Sequence, residues 1–113
     1  DVDNLTAEAK STSKIDVSWT PNDDNDKVLL AYSDDGTFGD PTDGHEYAVG
    51  DNISGGGIVL AYGNDTLYHH TGLDCGTKYY YKAWSVHTGG SLNPDYSNGV
   101  TDNAATPPLN DDC

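Results

Sequence analysis

The chain contains no arginine and no methionine, and its only cationic side chains besides histidine are five lysines, set against 19 acidic residues. A net charge of −14 repels phosphate backbones and anionic lipid surfaces, so nucleic acid is excluded as an expected partner. No apolar run reaches the roughly 18 residues that a membrane helix needs, so no membrane insertion is expected. The acidic surface leaves two interpretations open: solubility in salty water, or binding of divalent cations by aspartate oxygens.

Catalytic signatures are absent as well. The sequence has no nucleophile elbow, no phosphate-binding loop and no zinc-protease helix motif. Two of the four histidines, His69 and His70, are adjacent on a predicted strand and point to opposite faces, so they cannot chelate one ion. His45 and His87 have no second ligand at useful spacing. We therefore expect neither an enzyme nor a zinc site, and we expect His70 to be a hydrogen-bonded core residue.

What the chain does contain is strand and turn chemistry. Gly, Asn, Asp, Ser and Thr punctuate it every roughly eight to twelve residues, a spacing typical of all-β domains. Six strands are predicted and lettered A, B, C, E, F and G, at residues 5–9, 14–20, 27–33, 66–71, 78–86 and 97–105. Between C and E lies a long region, 34–65, with two further predicted strands at 46–49 and 57–62.

Residues 72–86 are the most informative segment, because they read as a turn feeding a strand. Leu73 stands two residues before Cys75, and Tyr79 stands two residues after Thr77. This is the pattern of a tyrosine corner, in which a buried tyrosine hydroxyl bonds back to the chain just before its strand. The segment therefore indicates a β-sandwich.

Several motifs together carry a family resemblance: Leu5-x-Ala7, Ile15-x-Val17-x-Trp19, Leu73-x-x-Gly76-Thr77-x-Tyr79-x-Tyr81, Ser97 and Thr106-Pro107. The set resembles a fibronectin type III domain over nearly the whole chain, and is most similar to modules appended to secreted bacterial proteins. The resemblance implies one all-β domain over residues 1–113, a two-sheet antiparallel sandwich with a long C–E insertion. The residues it marks as specifying the fold are Trp19, Leu73, Thr77, Tyr79 and Tyr81.

The two cysteines stand where the sandwich would bring them together. Cys75 lies in the loop before strand F, in a position commonly held by proline in this family, and Cys113 follows strand G. Strand G of such a sandwich returns to the pole of Cys75, so a Cys75–Cys113 disulfide would tie back the tail, 107–113. Two free thiols and a cross-link between copies remain alternatives. A disulfide fits an extracellular or cell-surface location.

Other candidate sites are weaker. A loop-built calcium site is one interpretation of two aspartate groups, and no other cofactor is expected. Its candidate ligands are Asp23, Asp24, Asp26, Asp34, Asp35, Asp40 and Asp43. Three N-linked sequons begin at Asn4, Asn52 and Asn64, and Thr66 lies in a short O-glycosylation-like motif.

Strands C and F are apolar on both faces, although a two-layer sandwich needs one apolar face per strand. Something should cover the outer face. The long C–E region could fold over it with Phe38, Tyr47 or Tyr62, or the face could be open, with Tyr80, Trp84 and Leu29 serving a protein interface or a sugar platform.

The sequence therefore predicts a non-catalytic extracellular structural or adhesive module, with self-assembly into a surface filament or layer as one form of that role. Its expected partners are copies of itself or other domains of a parent protein. The alternative is a carbohydrate-binding or spacer accessory domain of a secreted hydrolase, with polysaccharide as partner.

Overall fold

Eight β-strands and no helix make up the described part of the protein, residues 2–22, 26–88 and 94–108 of a computed structural model. The strands are β1 (Asp3–Ser11), β2 (Lys14–Thr20), β3 (Lys27–Ser33), β4 (Ile58–Gly63), β5 (Leu67–His70), β6 (Lys78–His87), β7 (Asp95–Tyr96) and β8 (Val100–Ala105). The all-β prediction is confirmed. Within these ranges no helix is long and apolar enough to cross a membrane.

The strands form two antiparallel sheets. One has the order β1-β2-β5, and the other has the order β4-β3-β6, with both β7 and β8 paired to β6. The edges of the two sheets meet where β1 packs against β8, and there the backbone N–H of Ala7 donates to the Asp102 carboxylate at 2.8 Å. The result is the two-sheet sandwich that the sequence predicts.

Alternating side chains fill the space between the sheets. On β2, Ile15, Val17 and Trp19 are buried while Asp16 and Ser18 are half-buried, so the period-2 pattern of the sequence is the pattern of burial. Opposite them, the inward residues of the second sheet complete the core: Val28, Leu30, Tyr79, Tyr81 and Ala83.

The turn before β6 is held by the hydroxyl of Tyr79, which accepts a hydrogen bond from the backbone N–H of Asp74 at 3.0 Å. This is the contact expected of a tyrosine corner. Thr106 closes the same turn from the other side, because its Oγ1 donates to the Asp74 carbonyl at 2.6 Å and accepts from the Thr77 N–H at 3.1 Å. The turn before β6 and the chain after β8 are thereby fixed together at this pole.

Two predicted strands are corrected. Residues 46–49 are not a strand but part of an irregular segment, where the Ala48 N–H donates to the Asp51 carboxylate and the Ala48 carbonyl accepts from the Asp51 N–H. The last predicted strand, 97–105, is shorter at its start, since β8 begins at Val100 and a separate two-residue strand, β7, precedes it. The predicted strand 57–62 corresponds to β4 with a shift of one residue.

A test of the corner is the substitution Tyr79→Phe, which keeps the ring and leaves the Asp74 N–H without its acceptor. We expect the free energy of unfolding in urea to fall by about 1–2 kcal/mol. Tyr80→Phe is the matched control, because no hydrogen bond of the Tyr80 hydroxyl is seen among the described residues; it should change stability by less than about 0.5 kcal/mol. Equal losses in both variants would contradict the role given to Tyr79.

Candidate functional site

The outer face of the second sheet carries an apolar cluster of its own, separate from the core between the sheets. Its buried members are Leu29, Ala31, Tyr47, Ile53, Val59, Trp84 and Val86, with Phe38, Tyr62 and Tyr96 packed against them. Since Tyr47, Ile53 and Phe38 belong to residues 34–57, this segment folds over the sheet. We call it the covering segment. Of the two sequence-level interpretations of the outer face, the structure supports the cover.

Backbone hydrogen bonds hold the covering segment in place. The N–H of Gly39 donates to Gly56 O at 3.0 Å, so the two ends of the segment are joined. Asp51 O accepts from the N–H of Val59 at 2.9 Å, and the N–H of Gly50 donates to Val59 O at 2.8 Å, which ties the segment to the edge of β4. The edge of the Phe38 ring meets Trp84 with centroids 6.3 Å apart.

The open-platform prediction is therefore wrong for two of its three residues. Trp84 and Leu29 are fully buried, each with 0% of its surface exposed, because the covering segment lies over them and Gly99 and Lys82 also lie against the Trp84 ring. Neither can stack on a sugar ring or contact a partner in this structure. Tyr80 is half-buried at the margin of the cover, where a Cβ added to Gly36 would lie 3.4 Å from its ring.

The uncovered half of the outer face is a polar strip along β6 and β8. We call it the lysine strip, and its members are Lys78, Tyr80 and Lys82 on β6 with Thr101, Asn103 and Ala105 beside them on β8. The ammonium group of Lys78 lies 5.1 Å from the centre of the Tyr80 ring, and the ammonium group of Lys82 lies 5.2 Å from the centre of the Trp84 ring. Both are cation–π contacts.

His70 is the one strongly perturbed histidine in the described ranges. It is 7% exposed, its Nδ1 forms a 2.8 Å hydrogen bond with the Tyr81 hydroxyl, and burial lowers its pKa to about 4. The rings of Tyr32, Tyr68, Tyr79 and Tyr81 surround it, with centroids 4.6–6.1 Å away. It is the hydrogen-bonded core histidine expected from the sequence.

Those candidate calcium ligands that the structure describes are not grouped together. Asp23 and Asp24 lie outside the described residues, and no three His, Cys, Asp or Glu side chains within the described ranges come together as a metal site. Asp35 holds a turn instead: its carboxylate accepts from Ser33 Oγ at 2.6 Å and from the Thr37 N–H at 2.9 Å, and these bonds lower its pKa.

The remaining aspartates of that set have separate surroundings. Asp43 accepts from the Tyr96 N–H at 2.9 Å, and Asp26 accepts from the Asn22 amide at 2.9 Å. Asp34 lines a cavity of about 240 Å³ beside the covering segment, and Asp40 is exposed on that segment. Calcium binding stays a prediction.

The modification sites are accessible where the structure describes them. The four predicted glycan acceptors are exposed: Asn4, Asn52, Asn64 and Thr66. Cys113 lies outside the described residues, so the Cys75–Cys113 disulfide and the tied-back tail stay predictions.

The fit of the covering segment can be tested at Gly56, whose φ is +137° and where an added Cβ would lie 2.4 Å from the Thr37 carbonyl oxygen. Gly44 is the matched control, with a φ of +84° and nothing within 4 Å of an added Cβ. Gly56→Ala should cost at least about 1 kcal/mol more than Gly44→Ala in urea unfolding, because it adds a clash to the backbone strain. Similar losses would mean that the segment is not packed as described.

Protonation of His70 should destabilise the fold in acid. Its pKa is lower in the folded chain than its usual 6.5, so its contribution is fully present above pH 6.5 and is lost as the pH falls toward about 4. Between pH 7 and 4.5, the parent chain should lose about 2–3 kcal/mol more stability than His70→Gln, measured by urea unfolding. The exposed His45→Gln variant should behave like the parent. A parallel loss in His70→Gln would refute the assignment.

Comparison with known proteins identifies the fold. No protein-family model matches the sequence, and no curated protein matches it. Among solved structures, the chain is similar to the fibronectin type III domain of human fibronectin type III domain containing protein 3, with a TM-score of 0.57, 18% identity, and coverage of 95% of this chain and 84% of that one. It is also similar to the FN5 domain of Drosophila Lar, with a TM-score of 0.51, 17% identity, and coverage of 94% of both chains.

A third similar structure is a domain-sized part of an enzyme. The crystal structure of β-1,2-glucanase from Parabacteroides distasonis matches with a TM-score of 0.59 and 23% identity. The match covers 96% of this chain but only 13% of the glucanase chain. At such identities these likenesses bear on the fold alone.

Proposed function

We propose that this chain, which has the fold of fibronectin type III domains, is a non-catalytic extracellular module with a structural or adhesive role that self-associates into a surface filament or layer. The fold suggests a non-catalytic module, and domains of this fold are often extracellular.

The observation that carries the proposal is that β1 begins and β8 ends at opposite poles of the sandwich. Asp3 pairs with Thr20, where β2 leads into β3, and Lys27 at the start of β3 pairs with Val86 near the end of β6. At the other pole Ala105 pairs with Lys78, the first residue of β6. A mechanical force applied at one pole is therefore transmitted along the full length of the paired strands to the other pole, as a spacer or a linear assembly requires.

A Cys75–Cys113 disulfide is part of the proposal, because it fits an oxidising, extracellular setting. The chain after β8 passes close to Cys75: the Gly76 N–H donates to Pro107 O at 3.2 Å, and Thr106 bonds to the Asp74 carbonyl. Only a few residues separate Pro107 from Cys113. The proximity of Pro107 supports an intramolecular bond over a cross-link between copies.

Self-association can be tested on the chain as it stands. We expect the molar mass from light scattering to rise above 12.0 kDa as the concentration increases from micromolar to millimolar, and we expect ordered assemblies in electron microscopy. The same runs with reductant separate assembly through non-covalent surfaces from disulfide cross-linking. A constant monomer mass over the whole range, with no ordered particles, would refute the proposed self-association.

A second candidate function is an accessory domain of a secreted hydrolase that binds carbohydrate or acts as a spacer. What favours it is the likeness to part of a β-1,2-glucanase chain, together with the half-exposed Tyr80 flanked by Asn103 and Thr101, a small aromatic surface with polar neighbours. Retardation on native gels containing β-glucan, lost in Tyr80→Ala and retained in the control variant Tyr62→Phe, would favour this candidate over assembly.

A further inference from the structure

The outer face is divided into two halves of opposite charge. The covering segment, residues 34–57, contains six carboxylates and no lysine: Asp34, Asp35, Asp40, Asp43, Glu46 and Asp51. The lysine strip contains two of the five lysines of the chain and no carboxylate. A chain of net charge −14 thus concentrates part of its small positive charge beside its acidic cover.

The two lysines of the strip have no acidic partner within the described residues, unlike two others. Lys10 lies 3.0 Å from Glu8, and Lys14 lies 3.7 Å from Asp16. Lys78 and Lys82 rest over aromatic rings, and no described carboxylate lies within 4.0 Å of either ammonium group. Their charge remains available to an anionic partner.

The two halves also differ in height. The covering segment adds a layer above β3, β4 and the later half of β6 and touches the Tyr80 ring at Gly36, whereas β8 carries no such layer, since Thr101, Asn103 and Ala105 are exposed. The face is therefore stepped: the covering segment forms its acidic upper level, and the lysine strip forms its cationic lower level. On the upper level Val49 is 68% exposed, the most exposed large apolar side chain of the described part.

We propose that this stepped face pairs with the same face of a second copy, about a two-fold axis, so that each acidic covering segment rests on the lysine strip of the other chain. In a two-fold contact each surface meets its counterpart twice, which suits a face carrying both charges and both levels. The pairing deepens the proposed self-association by naming one of its contacts and the partner, and it rests on that function. A two-fold contact closes a pair of chains, so a filament or layer needs a second contact besides this one. Opposite charges steer and register the contact, while like charges brought together oppose it.

Charge reversal tests the pairing. The variant Lys78→Glu/Lys82→Glu should weaken self-association roughly tenfold or more in sedimentation equilibrium, because glutamates would then face carboxylates. Asp40→Lys/Glu46→Lys should weaken it similarly, because lysines would face lysines. Lys10→Glu/Lys14→Glu is the matched control: it makes the same charge change on the other sheet and should leave the pairing affinity within about threefold of the parent, an allowance for the added net charge.

Mixing is the decisive step. Each reversed variant pairs poorly with itself, but an equimolar mixture of the two restores attraction at both contacts, so heterodimers should form at the affinity of the parent. Raising the salt concentration to about 0.5 M should weaken the parent and the mixture alike, because ions screen exposed charges. Circular dichroism and urea unfolding of every variant establish that each is folded before its association is measured.

The outcomes separate the two proposals. If the parent self-associates while the lysine-strip variant associates equally well, or if mixing restores nothing, the stepped-face pairing is wrong although self-association stands. If the parent stays monomeric at all concentrations, both proposals fail. Binding of an anionic polysaccharide by a monomeric parent, lost in Lys78→Glu/Lys82→Glu, would assign the strip to that ligand and overturn the pairing.

Discussion

The second half of strand β6, residues 83–86, is buried on both of its faces, and this constraint determines the rest of the molecule. Tyr79, Tyr81 and Ala83 point into the core between the sheets, while Trp84 and Val86 point the other way. Water must be kept from both sides, since leaving a large aromatic side chain exposed forgoes about 1.5–3 kcal/mol of burial free energy. One side is closed by the β1-β2-β5 sheet. The other is closed by a segment with almost no regular structure.

The covering segment is irregular because its role is to bury the outer face of the sheet. A strand laid across the sheet would leave ladder groups unpaired, whereas turns bring single side chains such as Phe38, Tyr47 and Ile53 down onto the sheet between polar stretches. The polar backbone groups are satisfied locally, as in the bond from the Ala48 N–H to the Asp51 carboxylate at 2.8 Å. Tyr47 contributes in both ways, because its ring is buried and its hydroxyl accepts from the Thr42 N–H at 3.0 Å.

Local pattern was enough to predict the sandwich and the environment of several residues. The alternation of β2, the turn chemistry before β6 and the inward position of His70 follow from period-2 geometry along single strands. The apolar outer face was also visible in the sequence, and so was the need for a cover. Which residues would be covered was not, because burial of Trp84 and Leu29 depends on how the covering segment folds back over the sheet, which no local pattern of β3 or β6 encodes. Residues 46–49 were wrongly predicted to be a strand for the same reason: their apolar side chains belong to the covering segment.

The lysine strip is a surface that could not be predicted from the sequence. Lys78 and Lys82 follow ordinary strand alternation, and nothing in the sequence separates them from lysines that pair locally, such as Lys10. The strip is an uncovered surface only because β6 pairs with β8 in this register and because the covering segment ends beside it. Neighbouring residues on different strands, rather than any motif, make it a surface.

The covering segment also gives the protein a second apolar core, which can open separately from the core between the sheets. The cores on the two faces of the β4-β3-β6 sheet share strands but no side chains, and the outer one is closed by a loop segment rather than by a sheet. Such a layer can open without the sandwich coming apart, with a free energy below that of global unfolding. The two tryptophans divide accordingly, Trp19 in the inner core and Trp84 in the outer. Hydrogen exchange at their indole N–H groups would report on the two layers separately, with Trp84 shielded by the covering segment together with Gly99 and Lys82.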